Sequence, residues 1–448
     1  MRIERRAVAG RPARRTAAGI AVVSTAALAL TACSGGNASG GGAGFADELD
    51  PEEEISLSLA WWGDDDRANK YEEAVALFEE QNPNIEVDTN WIAFDDYWPA
   101  RNTEAASGSL PDVLQMDLSY LRQYGGTGQL ADLSEAIDTN LDTSGFDEQL
   151  LAAGAIDGAQ YGIPTSTNTL ALFYNADVLD EIGVEPPAEG YTWEDYAAFV
   201  EEVEQAGSGE DPAIYGSGDY TTTFWFFCQW LIQQGTEPFT EDGELGFTEA
   251  EMTEFLELGS DARDAGIFFP IEKTKQIEPL GGFTVSEAAS EMSWDNFLAG
   301  YVAETEQDIR MLPMPSGADG PRMFWKPSML LSASANTEHP AAAAALIDFL
   351  VNAPEVGTIF GTSKGNPAVA AQRDAMEVEP GSIDEQVVSF EEEVADLVTE
   401  PAPIPVEGFG AIEAEYKRLG EELQYGNVTV DEFVTQWFAF AESNVGQS

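Results

Sequence analysis

Histidine is nearly missing from this 448-residue chain; His339 is the only one. A Ser-His-Asp triad, a HExxH zinc site or a histidine-rich metal cluster lacks its imidazoles here. Cysteine is as scarce, with Cys33 and Cys228 alone, so no disulfide framework can form. Cys228, inside FWFFCQWL, reads as a small buried apolar residue rather than a nucleophile. Bases are few: 20 Lys and Arg face 81 Asp and Glu, a net charge of −61. Such a surface repels phosphate backbones and anionic headgroups, which excludes nucleic acid as a partner and keeps the body off the membrane surface. The acids read as a solubilising coat, suited to salt, where screening weakens self-repulsion. Long apolar runs are also missing beyond the N-terminus; the nearest, 341–351, is interrupted by Asp348 and falls short of the ~20 residues a spanning helix needs.

What is present begins with a leader. Six arginines (Arg2, Arg5, Arg6, Arg11, Arg14, Arg15) precede the apolar stretch Ala17 to Ala32. That order is an export signal. Leu30-Thr31-Ala32-Cys33 resembles a bacterial lipobox, which makes Cys33 the lipidated N-terminus of the mature chain. An ordinary secretory signal is the alternative, and Arg14-Arg15 leaves the twin-arginine route open. Residues 34–44, SGGNASGGGAG, read as the start of a flexible tether covering 33–53. Loss of 1–32 takes away six arginines and Glu4, leaving 14 bases against 80 acids, net −66. The remaining 416 or so residues exceed one ordinary core and suggest two domains.

Ile55-Ser56-Leu57-Ser58-Leu59 alternates as a strand; Tyr71, Val75 and Phe78 recur at helical spacing until Pro83; alternation resumes from Ile85 to Trp91. Strand, helix, strand is the unit of a parallel sheet with covering helices. Leu110 to Asp117 reads as a turn and then a buried strand, Leu170–Tyr174, Ile309–Met314 and Ser328–Ser334 as further strands, and Thr165–Thr169 as a polar stretch ahead of the Leu170 strand. Thr192 and Thr248 open helices through capping boxes, and Pro340 starts an alanine-rich helix. Residues 410–441 read as helical with a break near Gly426, and 377–405 as the stretch least suited to compact structure.

The ordered set Trp61-Trp62-Gly63-Asp64-Asp65-Asp66-Arg67, LPDVLQMD, YGIPTSTNTLALFYN and Trp294-Asp295-Asn296-Phe297 before DIRMLPMP resembles the family 1 solute-binding proteins of ABC sugar importers, the family that includes maltose-binding protein. The resemblance implies an α/β, two-lobed periplasmic-binding-protein-like fold of class II, with the ligand held at the hinge. It implies an N-terminal lobe of 54–167 plus 322–368 and a C-terminal lobe of 168–321 plus 369–448. It also implies a monomer tethered outside the membrane through Cys33, handing a carbohydrate to permease transmembrane subunits without cofactor, metal or catalysis.

A sugar presents apolar C–H faces and a hydroxyl rim, so its site needs flat aromatics with carboxylates or amides beside them. Ten tryptophans, several near strand ends, favour that ligand. Trp61 and Trp62 end the first strand, where open sheets place ligands; one faces the cleft and one the core. Asp65 and Arg67 occupy the following turn, with a surface ion pair as the bland alternative for Arg67. The resemblance adds Asp117, Tyr120, Asn168, Trp294, Trp325, Ser328 and Asn366, and Trp225 is the choice for stacking among the aromatics of 220–230. A maltodextrin preference is not implied, because around 410–415 the family's late-helix aromatic has no clear counterpart. Three other readings stay open: a polyamine or chelated-metal binder, a glycan-active enzyme using paired acids, and a uronate-containing ligand met by Arg67.

Overall fold

The computed structural model describes residues 44–446; the leader and Cys33 lie outside them. A six-stranded sheet runs in the order Asn366–Pro367, Ile163–Asn168, Lys326–Ala333, Val113–Met116, Ile55–Trp62, Ile85–Ile92. Its last three strands pair parallel, with Ile55 opposite Ile85 and Leu59 opposite Val113. The helix Asp65–Gln81 connects the first two, and Asp64 caps it by accepting from the Arg67 amide. A separate antiparallel sheet joins Ser290–Trp294, Leu170–Asn175 and Ile309–Pro313.

The chain passes from the large sheet to the small one across Thr169 alone, and returns through Met323–Phe324 into Lys326–Ala333. It leaves again beyond Asn366–Pro367 for the helix Ile383–Val394, whose Val387, Phe390 and Val394 pack on Ala171 and Phe173 of the small sheet. The stretch 165–169, read from sequence as a polar connection, is therefore the end of a central strand and the first crossing. Thr165, Ser166, Thr167, Asn168 and Thr169 are all buried, because neighbouring crossings supply their hydrogen bonds. The acid-rich 377–405 stretch is likewise corrected: burial of three apolar residues on one face drives the 383–394 helix.

The capping boxes at Thr192 and Thr248 are formed, and helices Phe409–Gln424 and Val430–Asn444 flank Gly426. Cys228 is fully buried and unpaired. Among the described residues no single helix is long and apolar enough to cross a membrane.

Candidate functional site

The strand Lys326–Ala333 is buried along its whole length, although it begins with a lysine. The Lys326 ammonium lies 5.7 Å from the Trp225 ring centroid and 5.3 Å from that of Trp294. The two indoles meet edge to face at 5.6 Å. Asp117, the N-cap of helix Leu118–Gly126, places Oδ2 3.6 Å from the ammonium. Glu413, on helix Phe409–Gln424, faces the same point: burial lifts its carboxyl to about 7, Asp117 adds to the rise, and Lys326 and the Trp225 indole oppose it. Tyr120 completes the group. Its ring stacks on Trp98 at 3.7 Å, and its hydroxyl would lie 3.0 Å from a Cβ at Gly410. The helix carrying Asp117 and the late helix carrying Glu413 therefore meet here.

Four of the residues expected from sequence, Asp117, Tyr120, Trp225 and Trp294, come together in this cluster. The others go elsewhere. Trp61 is in the core, stacked on Tyr71 at 4.4 Å. Trp62 is also buried, against Phe94, Tyr97 and Trp98. The expected split between one cleft-facing and one core-facing indole becomes two packed rings on opposite faces of the strand. Asp65 is exposed in the first helical turn. Arg67 lines a second groove. Trp325 packs with the small sheet's core, on the side opposite Lys326, as strand alternation requires. Ser328 Oγ shares a 2.6 Å hydrogen bond with Ser166 Oγ. Asn168 is buried beside Gly365, whose φ is +98° and where an added Cβ would collide with Asn168 Oδ1.

Asn366 belongs to the hinge. Its Nδ2 donates to Glu391 Oε2 at 2.7 Å, and Thr167 Oγ1 donates to the same carboxyl at 3.0 Å. The Asp295 carboxyl abuts Glu391 and accepts from the Thr169 amide at 3.1 Å, while Thr169 Oγ1 donates to Phe324 O. All three crossings are thus tied to one buried acid pair. Burial raises both carboxyls, and the charge of Glu391 raises Asp295 further.

Lys326, Glu413, Asp295 and Glu391 were not singled out from sequence. Lys326 was within reach, since alternation from Trp325 puts it on the other face. The acid pair carries no local signal, its members being 96 residues apart.

A fixed sign follows for pH. Glu391 and Glu413 bind protons more tightly folded than unfolded, so their contribution is largest at low pH and is lost as pH rises from about 4.5 to about 7. The carboxyls held low by hydrogen bonds, Asp142 and Asp195, lose their contribution only further down. The chemical-denaturation midpoint is expected to rise between about pH 7.5 and about pH 5; a falling midpoint contradicts the assignment.

Two further grooves are present, the first of which reaches the cluster through Glu413. One, of about 1240 Å³, is walled by Phe224, Gly410 and Glu413 at the cluster end and by Glu291, Phe297 and Tyr301 beyond. The other, of about 460 Å³, lies between Asp64, Arg67, Lys70, Ser363 and Asn296. Segment 294–300 serves both: Phe297 and Gly300 face the first, Asn296 and Ala299 the second.

Two α/β halves sharing three crossings, with aromatic and acidic residues where they meet, define a two-lobed solute-binding fold. The family model for bacterial extracellular solute-binding proteins matches residues 73–377, and the chain belongs to that family. It is 28% identical to an arabinooligosaccharide-binding protein of Halalkalibacterium halodurans, over 42% of this chain and 41% of that one. The structure of a family 1 extracellular solute-binding protein from Alicyclobacillus acidocaldarius superposes with a TM-score of 0.68 at 25% identity, covering 88% of this chain and 99% of the other. An ABC substrate-binding protein from Listeria monocytogenes, in complex with cycloalternan, superposes at 0.73 with 21% identity, covering 87% and 99%.

Proposed function

We propose that this chain captures an oligosaccharide between its lobes and delivers it to an ABC permease, held at the outer face of the membrane by a lipid on Cys33. The lobes are assigned as 54–167 with 322–368 and 168–321 with 369–448. One observation carries the reading. Trp225 and Trp294 meet beside Asp117, Lys326 and Glu413, and Glu413 lines a groove larger than the 300–1,000 Å³ typical of small-ligand pockets. Indole faces suit sugar C–H faces, while the ammonium and carboxylates supply donors and acceptors for hydroxyls. The arabinooligosaccharide-binding relative supports the class of ligand, and the groove's size favours several sugar units over one. No bond in the ligand is broken; the lobes close over it as rigid bodies.

Glu291, Glu304 and Glu421 on the larger groove favour a polyamine as the second reading. Calorimetry separates the two. One-to-one binding of an arabino- or galactooligosaccharide with no heat from spermidine is expected; spermidine binding without sugar binding rejects the proposal.

A further inference from the structure

The chain has almost six acids for every base once residues 1–32 are removed, so an unpaired base stands out. All 14 of those bases lie within the described residues. Nine form an ion pair with a carboxylate. Among the described residues Arg67, Arg122, Lys364, Arg373 and Lys417 do not. Arg122 donates to the Pro405 carbonyl, Arg373 to those of Pro367 and Ala368, and Lys417 is exposed.

Arg67 and Lys364 are different: Arg67 lines the smaller groove, and Lys364 is buried directly behind its Phe360 wall. The Arg67 stem lies on Gly63, where a Cβ would come within 2.8 Å of Cδ. Its guanidinium donates only to carbonyls, Trp62 O at 3.4 Å and Ser363 O at 3.2 Å. Lys364 follows Ser363 and is 5% exposed, with its ammonium 3.6 Å from the centroid of Phe360, a wall of the groove. The groove's acids are already engaged: Asp64 caps the helix, Asp66 pairs with Lys70, and Asp384 accepts from Thr362.

We propose that this groove is an anion subsite, in which Arg67 receives the carboxylate of a sugar acid at one end of the oligosaccharide and the charge of Lys364 assists. The inference rests on the oligosaccharide reading and narrows it. The guanidinium offers the paired N–H donors that match a carboxylate. Lys364 supplies charge from behind the groove wall. Burial, with Arg67 and Lys70 adding to it, lowers its ammonium to about 7, so an arriving carboxylate draws a proton onto it. The acidic larger groove then holds the neutral units, and segment 294–300 joins the two ends.

The test uses the mature chain with two probes, α-1,4-linked digalacturonate and neutral α-1,4-galactobiose, which differ at the carboxylate. Digalacturonate is expected to bind at least tenfold tighter. Arg67→Gln is expected to cost digalacturonate at least tenfold and leave galactobiose unchanged. Near pH 8, digalacturonate binding is expected to take up a proton, read as a buffer-dependent enthalpy, and Lys364→Met is expected to abolish the uptake. Equal affinity for the two probes, an Arg67→Gln loss shared by both, or absent proton uptake overturns the subsite while leaving the sugar reading intact. Binding of glucose 6-phosphate without digalacturonate overturns the carboxylate class. If no neutral or acidic sugar binds, the oligosaccharide reading itself fails.

Discussion

Glu391→Ala is expected to destabilise the protein by about 3 kcal/mol, although the side chain touches no groove. The substitution leaves Asn366 Nδ2 without its acceptor and Thr167 Oγ1 with only the Asn366 carbonyl at 3.2 Å, and a buried polar group so orphaned costs about 1–3 kcal/mol. Asp295 gains nothing large in return, because burial, the main cause of its raised pKa, remains. Arg373 also loses the carboxylate that its charge favours. Glu391→Gln keeps the shape and an acceptor for Thr167, so its cost should be under half as great, and it should flatten the pH dependence between about 4.5 and about 7. Urea titration of the three proteins at two pH values gives the answer. A Glu391→Ala loss of less than about 0.5 kcal/mol, the size of an ordinary surface change, rejects the role of the acid pair in tying the crossings.

The second large effect concerns binding. Trp294→Ala is expected to weaken the best oligosaccharide by about 10- to 100-fold while leaving the fold intact. Withdrawing an aromatic face from a buried contact is worth about 1.5–3 kcal/mol, and about 1.4 kcal/mol is a factor of ten. Trp294 is only half-buried, so truncation mainly exposes its edge contacts with Trp225 and Phe324. Trp225 provides the contrast. It is buried, packs at 5.4 Å on Phe409, and should cost the fold about 3–5 kcal/mol when cut to alanine. Unchanged affinity in a folded Trp294→Ala protein removes the indole from the ligand's path.

Much of the architecture was legible in the sequence wherever the signal is local. Thr192 and Thr248 announce helices because a capping box is written within four residues. Ile55 to Leu59 announces a strand because one face is core. What escaped was nonlocal. Residues 165–169 look like a loop because a polar strand is tolerable only when other crossings satisfy it, and those lie far along the chain. The 383–394 helix hides its apolar spacing among five acids. The candidate cluster was half visible. Trp225, Trp294, Asp117 and Tyr120 belong to residue types that sugar chemistry selects. Lys326 and Glu413 gain their meaning only from being brought to the same point, and Arg67 and Lys364 only from lacking a carboxylate partner.

A titration of the purified mature chain with arabino-, galacto- and galacturono-oligosaccharides, followed by tryptophan fluorescence and by mass analysis of the recovered sugar, tests the capture mechanism most directly. A saturable change in indole emission at one ligand per chain, with the sugar returned at its original length, is the predicted result. Silence across the whole panel, or shortened sugar in the eluate, contradicts it.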